Sequence, residues 1–357
     1  MNDYDLWFIL LNINNKRKIN LIKRFKSTRE IWYYTVNECN DKQDKFNKKI
    51  KWEKDKIEFV KNLIFKNKIN IITFMENDYP DILKNYDDSP FALFYKGNLK
   101  KLNESINISI VGSRACSPYG VNVTKIILKE LKGHNINIIS GLAKGIDYYA
   151  HLYAVENDMF TCGVLGCGID VVYPKSNKKL YESILEKDGC IISQFMPGTQ
   201  PLSYNFPLRN RIISGLSKIT IVVEANLKSG SLITASAALD QGKEIIAVPG
   251  SIFSKNSLGT NKLIKDGAFP LTSIDDIFDL LSINHYDSKI SGDERNMNNL
   301  EKKIYNVISD VPIHMDDIIK LTNIDISQIY ELLFEMQIKD EIMCLSGNYY
   351  VKLNNNI

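Results

Sequence analysis

The chain predicts a doubly wound α/β domain with a parallel sheet, preceded by a small helical N-terminal domain and followed by a winged-helix module. Three observations predict it. Short, largely apolar runs between residues 106 and 248 alternate with stretches of helical periodicity; strands apolar on both faces belong to a parallel sheet covered by helices. The turns after those runs are rich in Gly and Ser, which puts a ligand site at the carboxyl edge of the sheet. After a polar stretch, three helical segments lead into two short strand-like ones split by a turn.

At 357 residues the chain has room for two or three domains of roughly 150 residues each. Apolar residues make up 44% and charged residues 24%, which excludes a wholly disordered chain. The formal charge is only +3, but it is unevenly spread: residues 1–101 carry 21 Lys/Arg against 14 Asp/Glu, residues 102–282 carry 17 against 16, and residues 283–357 carry 7 against 12. A polyanion therefore meets the first two regions before the acidic tail. No window approaches the ~18 consecutive apolar residues of a membrane span. The run Leu6–Leu11 is short and follows Asp3 and Asp5, the wrong sign for a signal peptide. Cys39, Cys116, Cys162, Cys167, Cys190 and Cys344 form no CxxC pair, and the four histidines are not spaced with them as metal ligands. The expectation is a reduced cytoplasm, with no disulfide and no structural zinc.

Residues 1–69 read as the helical domain, of SAM or helix-hairpin-helix type, with apolar residues at helical spacing at Ile19, Ile22 and Phe25 and again at Ile57, Val60, Leu63 and Ile64. The basic face Lys16, Arg17, Lys18, Lys23, Arg24 and Lys26 reads as a solvated surface. The α/β domain is placed at 70–282. Short strands and turns, broken at Tyr79-Pro80 and Ser89-Pro90, lead into strands at Ile106–Val111, Ile136–Ile139, Thr161–Leu165, Cys190–Ser193, Ile219–Val223 and Glu244–Val248. Helices such as Val121–Leu131 and Leu232–Gln241 lie between them. Residues 283–299 read as a linker, since Asn284–Asn299 is polar and rich in Ser, Asp, Gly and Asn. Residues 300–357 read as the winged helix: helices at Leu300–Ser309, Asp316–Leu321 and Ile326–Lys339, then a hairpin of Ile342–Leu345 and Tyr349–Leu353 about Ser346-Gly347-Asn348.

The chemistry sits at the strand ends. Gly112-Ser113-Arg114 follows a strand and opens a helix; glycine lets backbone approach an anion, the helix start offers free N–H groups, and Arg114 adds a phosphate-matching fork. The segment matches neither GxGxxG nor GxxxxGK[ST], so NAD and ATP chemistry lose support; the plain alternative is a turn with a surface arginine. Ser140-Gly141-Leu142-Ala143-Lys144-Gly145-Ile146-Asp147 repeats the arrangement with Lys144 at the turn. Asp147 and His151, four apart, are either an acid–base pair or a helix-start cap and a packed histidine, and the second reading is the plainer. Cys167, in a Gly-rich loop, has no marked base beside it and reads as inert; Lys175 follows a Tyr-Pro turn. Asn205-Phe206-Pro207-Leu208-Arg209-Asn210-Arg211 is the densest cluster, with an aromatic suited to base stacking and arginines suited to phosphate. The competing reading packs Phe206 in the core and pairs the arginines with carboxylates. Ser229-Gly230-Ser231 opens one more helix. Donors and cations are abundant and general bases are few, which suits a phosphate-tracking surface better than a hydrolase.

These residues, in this order, resemble the DNA-processing protein A family (DprA, also called Smf). The matching stretches are NDYPDILKNYDDSPFALFYKGN (77–98), GSRACSPYG (112–120), SGLAKGIDYYAH (140–151), LGCGIDVVYP (165–174), FPLRNRIISGLS (206–217), VVEANLKSGSLITASAAL (222–239), AVPGS (247–251) and GTNKLIKDGA (259–268). The resemblance implies an extended Rossmann fold that forms a homodimer, binds single-stranded DNA and delivers it to the RecA recombinase, chiefly in natural transformation, with no catalytic activity and no cofactor. It puts Arg114 and Lys175 where the family uses cations for DNA, Phe206, Arg209 and Arg211 in the base and phosphate pocket, and Gly112 and Ser113 on that pocket's floor. Lys144, Asn210, Ser229, Gly230 and Ser231, read from their own motifs as donors, complete the expected DNA-binding set. Lys144 stands where Arg is common, Gln194 where Glu is usual, and Thr260-Asn261 replaces a frequent Cys-Asn. In the winged helix, Asp325, Glu331 and Glu335 point outward with Lys339 as the lone cation of that helix, so protein contact is expected there rather than duplex binding. The rival classes are a nucleoside-monophosphate phosphoribohydrolase of the lysine-decarboxylase-like (LOG) family and a bare nucleotide sensor. The former's PGGxGTxxE signature is absent, since Pro249-Gly250 is followed by Ser251-Ile252.

Overall fold

In the computed structural model, which describes residues 2–37, 52–283, 298–309, 311–339 and 341–352, the apolar runs become one nine-stranded sheet. Its strands are β1 (Asn70–Thr73), β2 (Ala92–Gly97), β3 (Ile106–Val111), β4 (Ile136–Ser140), β5 (Thr161–Val164), β6 (Cys190–Ser193), β7 (Ile219–Val222), β8 (Glu244–Ala247) and β9 (Phe269–Pro270). They are ordered β1-β2-β6-β5-β4-β3-β7-β8-β9. From β6 to β9 all neighbours are parallel, while β1 and β2 add antiparallel strands at the β6 edge. The chain winds outward from β3 to β6, then returns to lay β7 on the other side of β3. At that reversal the connections leave to opposite sides, and a crevice opens at the carboxyl ends of β3 and β7.

Both faces of the sheet are covered, which is why the strands are apolar throughout. On one face Ile108, Ile110, Ile219 and Ile221 pack under Ile126 and Ile127 of helix Pro118–Glu130, Ala150 of helix Ile146–Glu156 and Phe278 of helix Asp275–Leu281. On the other, Val111, Ile139, Val222 and Ile245 pack under Ile212 and Ile213 of helix Asn205–Leu216 and Ala235 and Ala238 of helix Gly230–Asp240. Two helices start earlier than their apolar period suggests. Pro118 occupies the first turn behind the Ser117 cap, whose Oγ accepts from the Gly120 N–H at 3.3 Å. Ser229 caps the other through the Ser231 N–H at 3.3 Å. Polar first turns carry the cap and not the core contact, so periodicity misses them.

The N-terminal helices Asp3–Leu10, Asn15–Phe25, Thr28–Asn37 and Lys54–Lys66 close around Trp7, Trp32 and Trp52, and Phe8 meets Phe91 just before β2 edge-to-face at 4.8 Å. Cys39 lies outside the described residues, as does most of the expected linker. Helices Asn299–Val307, Met315–Thr322 and Ile326–Ile338 pack on Ile304, Ile318, Ile329, Leu333 and Met336. Beside them β10 (Ile313–His314), β11 (Ile342–Leu345) and β12 (Tyr349–Lys352) form a sheet ordered β10-β12-β11. β10 was not expected from the sequence: two residues are too few to show alternation. Among the described residues no helix is long and apolar enough to cross a membrane.

Candidate nucleic-acid interface

The loops after β3, β4, β5, β6 and β7 converge on a cleft of about 680 Å³ and a smaller cavity of about 180 Å³. Arg114, Ala143, Tyr173, Phe206 and Arg209 line both, so the two form one continuous recess over the β3/β7 reversal. The floor is Gly112 and Ser113 from the end of β3. The wall is made by two neighbouring helix starts, that of Asn205–Leu216, with Phe206, Arg209 and Asn210, and that of Gly230–Asp240, with Ser229, Gly230 and Ser231; Asn210 Nδ2 donates to the Gly230 carbonyl oxygen at 3.4 Å and joins them. Ser229 and Ser231 hydroxyls lie 2.8 Å apart, and a Cβ on Gly230 would meet nothing within 4 Å, so this capped helix start faces open space. Lys144 borders the smaller cavity.

Phe206 divides the two cavities. Its ring sits 5.9 Å from that of Tyr173, with the Arg114 guanidinium 5.4 Å from its centroid on the solvent side. This placement depends on Gly166, where a Cβ would come within 2.8 Å of the Phe206 ring. The turn carrying Lys144 passes so close to the first loop that Gly145, at φ +76°, would bring a Cβ within 2.1 Å of the Ser113 carbonyl oxygen. Arg114, Lys144 and Lys228 are exposed and form no ion pair among the described residues. Asp147 is the one acidic residue lining either cavity, and it is buried.

Three of the expected site residues sit differently from the sequence-based expectation. Arg209 is 4% exposed. Its Nη1 donates to the carbonyl oxygens of Gly141 and, at 2.6 Å, Val164, while Nε donates to Asn210 Oδ1 at 3.0 Å. It ties the carboxyl ends of β4 and β5 to the helix and supplies positive potential from beneath, with burial lowering its pKa. Arg211, two residues along the same helix, points away from the cleft; its Nε meets Asp88 at 2.7 Å and its Nη1 meets Asp240 at 3.5 Å. Residues two apart on a helix never share a face, so the paired-arginine alternative holds for Arg211. Lys175 is exposed but lines neither cavity; its neighbour Pro174 does.

The candidate catalytic groups are engaged elsewhere. The Asp147 carboxylate accepts the Gly141 N–H at 3.1 Å, and burial raises its pKa against the opposing pull of Arg209. His151 is fully buried with Nδ1 2.7 Å from Thr161 Oγ1, and burial lowers its pKa to about 3. Cys167 is directed at the Val171 carbonyl oxygen at 3.1 Å, and burial pushes its thiol up to about 11. No cluster of His, Cys, Asp or Glu suited to a metal occurs among the described residues.

Glu224, Tyr173 and Lys228 lie within the matching stretches, and their sequence surroundings assign them no role. Glu224, 2% exposed, accepts from the Ser117 N–H at 2.8 Å and the Ser117 hydroxyl at 2.5 Å, locking the loop after β3 to the strand end of β7; burial raises its pKa. A carboxylate directly after a strand, facing a Ser-Pro helix start, is the signal that could have found it. Tyr173 and Lys228 line the recess itself.

A family model described as DNA recombination-mediator protein A matches residues 70–282, and one described as the DprA winged helix domain matches residues 293–348. The chain is 44% identical over 205 residues to the DNA processing protein DprA of Streptococcus pneumoniae, across 57% of this chain and 72% of that protein. Its fold is similar to the X-ray structure of DNA processing protein A from Streptococcus pneumoniae, with a TM-score of 0.66 at 33% identity, covering 78% of this chain and 98% of that one. It is also similar to DNA processing protein A from Helicobacter pylori, described for its single-stranded DNA binding mode, with a TM-score of 0.55 at 29% identity, covering 60% of this chain and 96% of that one.

Proposed function

The chain belongs to the DNA recombination-mediator protein A family, and from that premise we propose that it binds single-stranded DNA in the recess over β3 and β7 and loads the RecA recombinase onto it. The observation that carries the reading is the make-up of the recess: exposed Arg114, Lys144 and Lys228, an open helix start at Ser229–Ser231, an aromatic wall of Phe206 and Tyr173, and no exposed carboxylate. Cations and helix-start N–H groups suit phosphates. Aromatic faces suit unpaired bases, for ~1–3 kcal/mol each, and a duplex hides those faces. Arg209 acts from below as a fixed charge, and Arg211 lies outside the site. The division of labour proposed is an α/β domain, residues 70–282, that binds DNA and forms a homodimer in the cytoplasm, and a winged helix, residues 300–357, that contacts protein.

The solved relative from Helicobacter pylori supports the choice of ligand. Asp147, His151 and Cys167, each held by framework contacts, support a mediator without catalysis over a phosphoribohydrolase. Mobility shifts with single- and double-stranded oligonucleotides, run beside a ribose-release assay with nucleoside monophosphates, test the reading. Single strands should bind in preference, with a log–log salt slope of about −3 to −4 for four to six phosphates at ~0.7 each, and no ribose should be released. A flat salt response or equal affinity for duplex would overturn it.

A further inference from the structure

We propose that the loop 251–256 is a second stacking platform, on which Phe253 and Ile252 take the bases of a single strand leaving the cleft while Lys255 and Lys228 take its phosphates. The inference rests on the DNA-binding reading of the cleft and extends it. Phe253 is 91% exposed and Ile252, beside it, 72% exposed. Two adjacent large apolar side chains held in water offer a surface that a base can cover with a gain in free energy.

The loop is not slack. Its base is closed by Asn261, whose Oδ1 accepts the Gly250 N–H at 3.2 Å and whose Nδ2 donates to the Gly250 carbonyl oxygen at 2.9 Å. Within it, the Ser254 N–H donates to the Ser251 carbonyl oxygen and the Ser257 N–H to that of Ser254, both at 3.0 Å, while Ser251 Oγ accepts from the Phe253 N–H at 3.3 Å. These consecutive turns hold the loop in shape and leave the Phe253 ring outward.

Three further bonds join the loop and its stem to the walls of the cleft. Asn256 Nδ2 donates to the Ala115 carbonyl oxygen at 2.8 Å, the Ala225 N–H donates to the Asn256 carbonyl oxygen at 2.7 Å, and the Tyr119 hydroxyl donates to the Pro249 carbonyl oxygen at 2.8 Å. Ala115 and Asn226 line the cleft, so the platform is joined directly to the cleft wall at Ala115 and beside Asn226. Lys228 on the rim and Lys255 on the loop are exposed and form no ion pair among the described residues. An aromatic beside unpaired cations, continuous with a phosphate-binding cleft, fits a nucleic-acid strand.

The test compares Phe253→Ala, Phe253→Tyr and Arg114→Ala in the full chain by fluorescence anisotropy on oligothymidylates of about 4 to 16 nucleotides, the span of single-strand site sizes. Phe253→Ala should match the wild type on the shortest strand and lose about tenfold on the longest, the worth of one stacked base. Phe253→Tyr, which keeps the ring, should bind like the wild type. Equal affinity of Phe253→Ala and wild type at every length, with Arg114→Ala weakened, would overturn the platform and leave the cleft reading standing. Unchanged binding by Arg114→Ala would instead remove the cleft reading. A Phe253→Ala protein with a lower mass in sedimentation and unchanged affinity per protomer would assign the loop to contact between copies and overturn the inference.

Discussion

The carboxyl edge of a doubly wound sheet binds phosphate-bearing ligands in other folds, and the third helix of a helix-turn-helix module binds DNA; here the two are built oppositely. The edge presents Arg114, Lys144 and Lys228 to solvent and keeps its lone cleft carboxylate, Asp147, buried. The helix Ile326–Ile338 contains no Lys or Arg; it exposes Ile326, Tyr330, Phe334 and Ile338 along one side and Glu331 and Glu335 beside them. Lys339, just past its end, is tied to the buried carboxylate of Glu301 at 2.6 Å. Charge that is present, exposed and unpaired is what a phosphate can use, and the two regions differ in all three respects.

The largest effect separates charge that builds the edge from charge that serves it. Arg209→Leu removes the donors to the Gly141 and Val164 carbonyls and leaves buried Asp147 without its opposing charge. Breaking a buried charged contact of this kind costs about 3–5 kcal/mol. Urea unfolding should show a much lower midpoint at an unchanged slope. A variant as stable as the wild type would mean that Arg209 is a ligand-binding arginine after all. Arg114→Ala should do the reverse. Folding should survive, while single-strand affinity falls about tenfold or more, for a charge-assisted bond worth ~1.5–3 kcal/mol. The salt slope should lose ~0.7. Affinity within the error of the wild type would move the site off this edge.

Much of this was legible in the sequence, for identifiable reasons. Strands buried on both faces must be apolar, so the sheet from Ile106 to Ala247 could be read within a residue at each end. Gly and Ser at strand ends are required where loops crowd, as Gly166 under Phe206 shows, so the recess was legible as well. Pairing was harder to read. Arg114, Arg209 and Arg211 are the same letter, and what distinguishes them is Asp88, Asp240 and the carbonyls of Gly141 and Val164, each far away in the chain. Helical spacing gave one usable clue, since Arg209 and Arg211 had to diverge once the helix formed.

Arg211 tests whether pairing matters more than charge count. Its contacts to Asp88 and Asp240 are partly exposed, and such pairs are worth about 0–1 kcal/mol. Arg211→Ala should therefore cost at most about 1 kcal/mol in urea unfolding and leave single-strand affinity within about twofold. A loss matching that of Arg114→Ala would show that the ion pairs open and that Arg211 swings to the strand.

The comparison is most direct in a deletion, and there too only a small effect is expected. Deleting residues 290–357 removes the winged helix, whose region carries 7 Lys/Arg against 12 Asp/Glu from residue 283 onward. Removing net negative charge takes away repulsion and few phosphate contacts, so affinity for single strands should stay within a few-fold of the full chain, the scale of surface substitutions. The core of the module is its own, built on Ile304, Ile318, Ile329 and Met336. The sheet domain keeps both of its helical layers without it, so the shortened chain should still fold cooperatively. If the apolar side of Ile326–Ile338 recruits a protein, the deletion should abolish loading in a recombinase assay while leaving the mobility shift intact. A loss of about a hundredfold in affinity from a folded, truncated protein, ~2.7 kcal/mol, would mean that the acidic helix binds DNA through contacts other than phosphate neutralisation, and the contrast drawn from charge would fail.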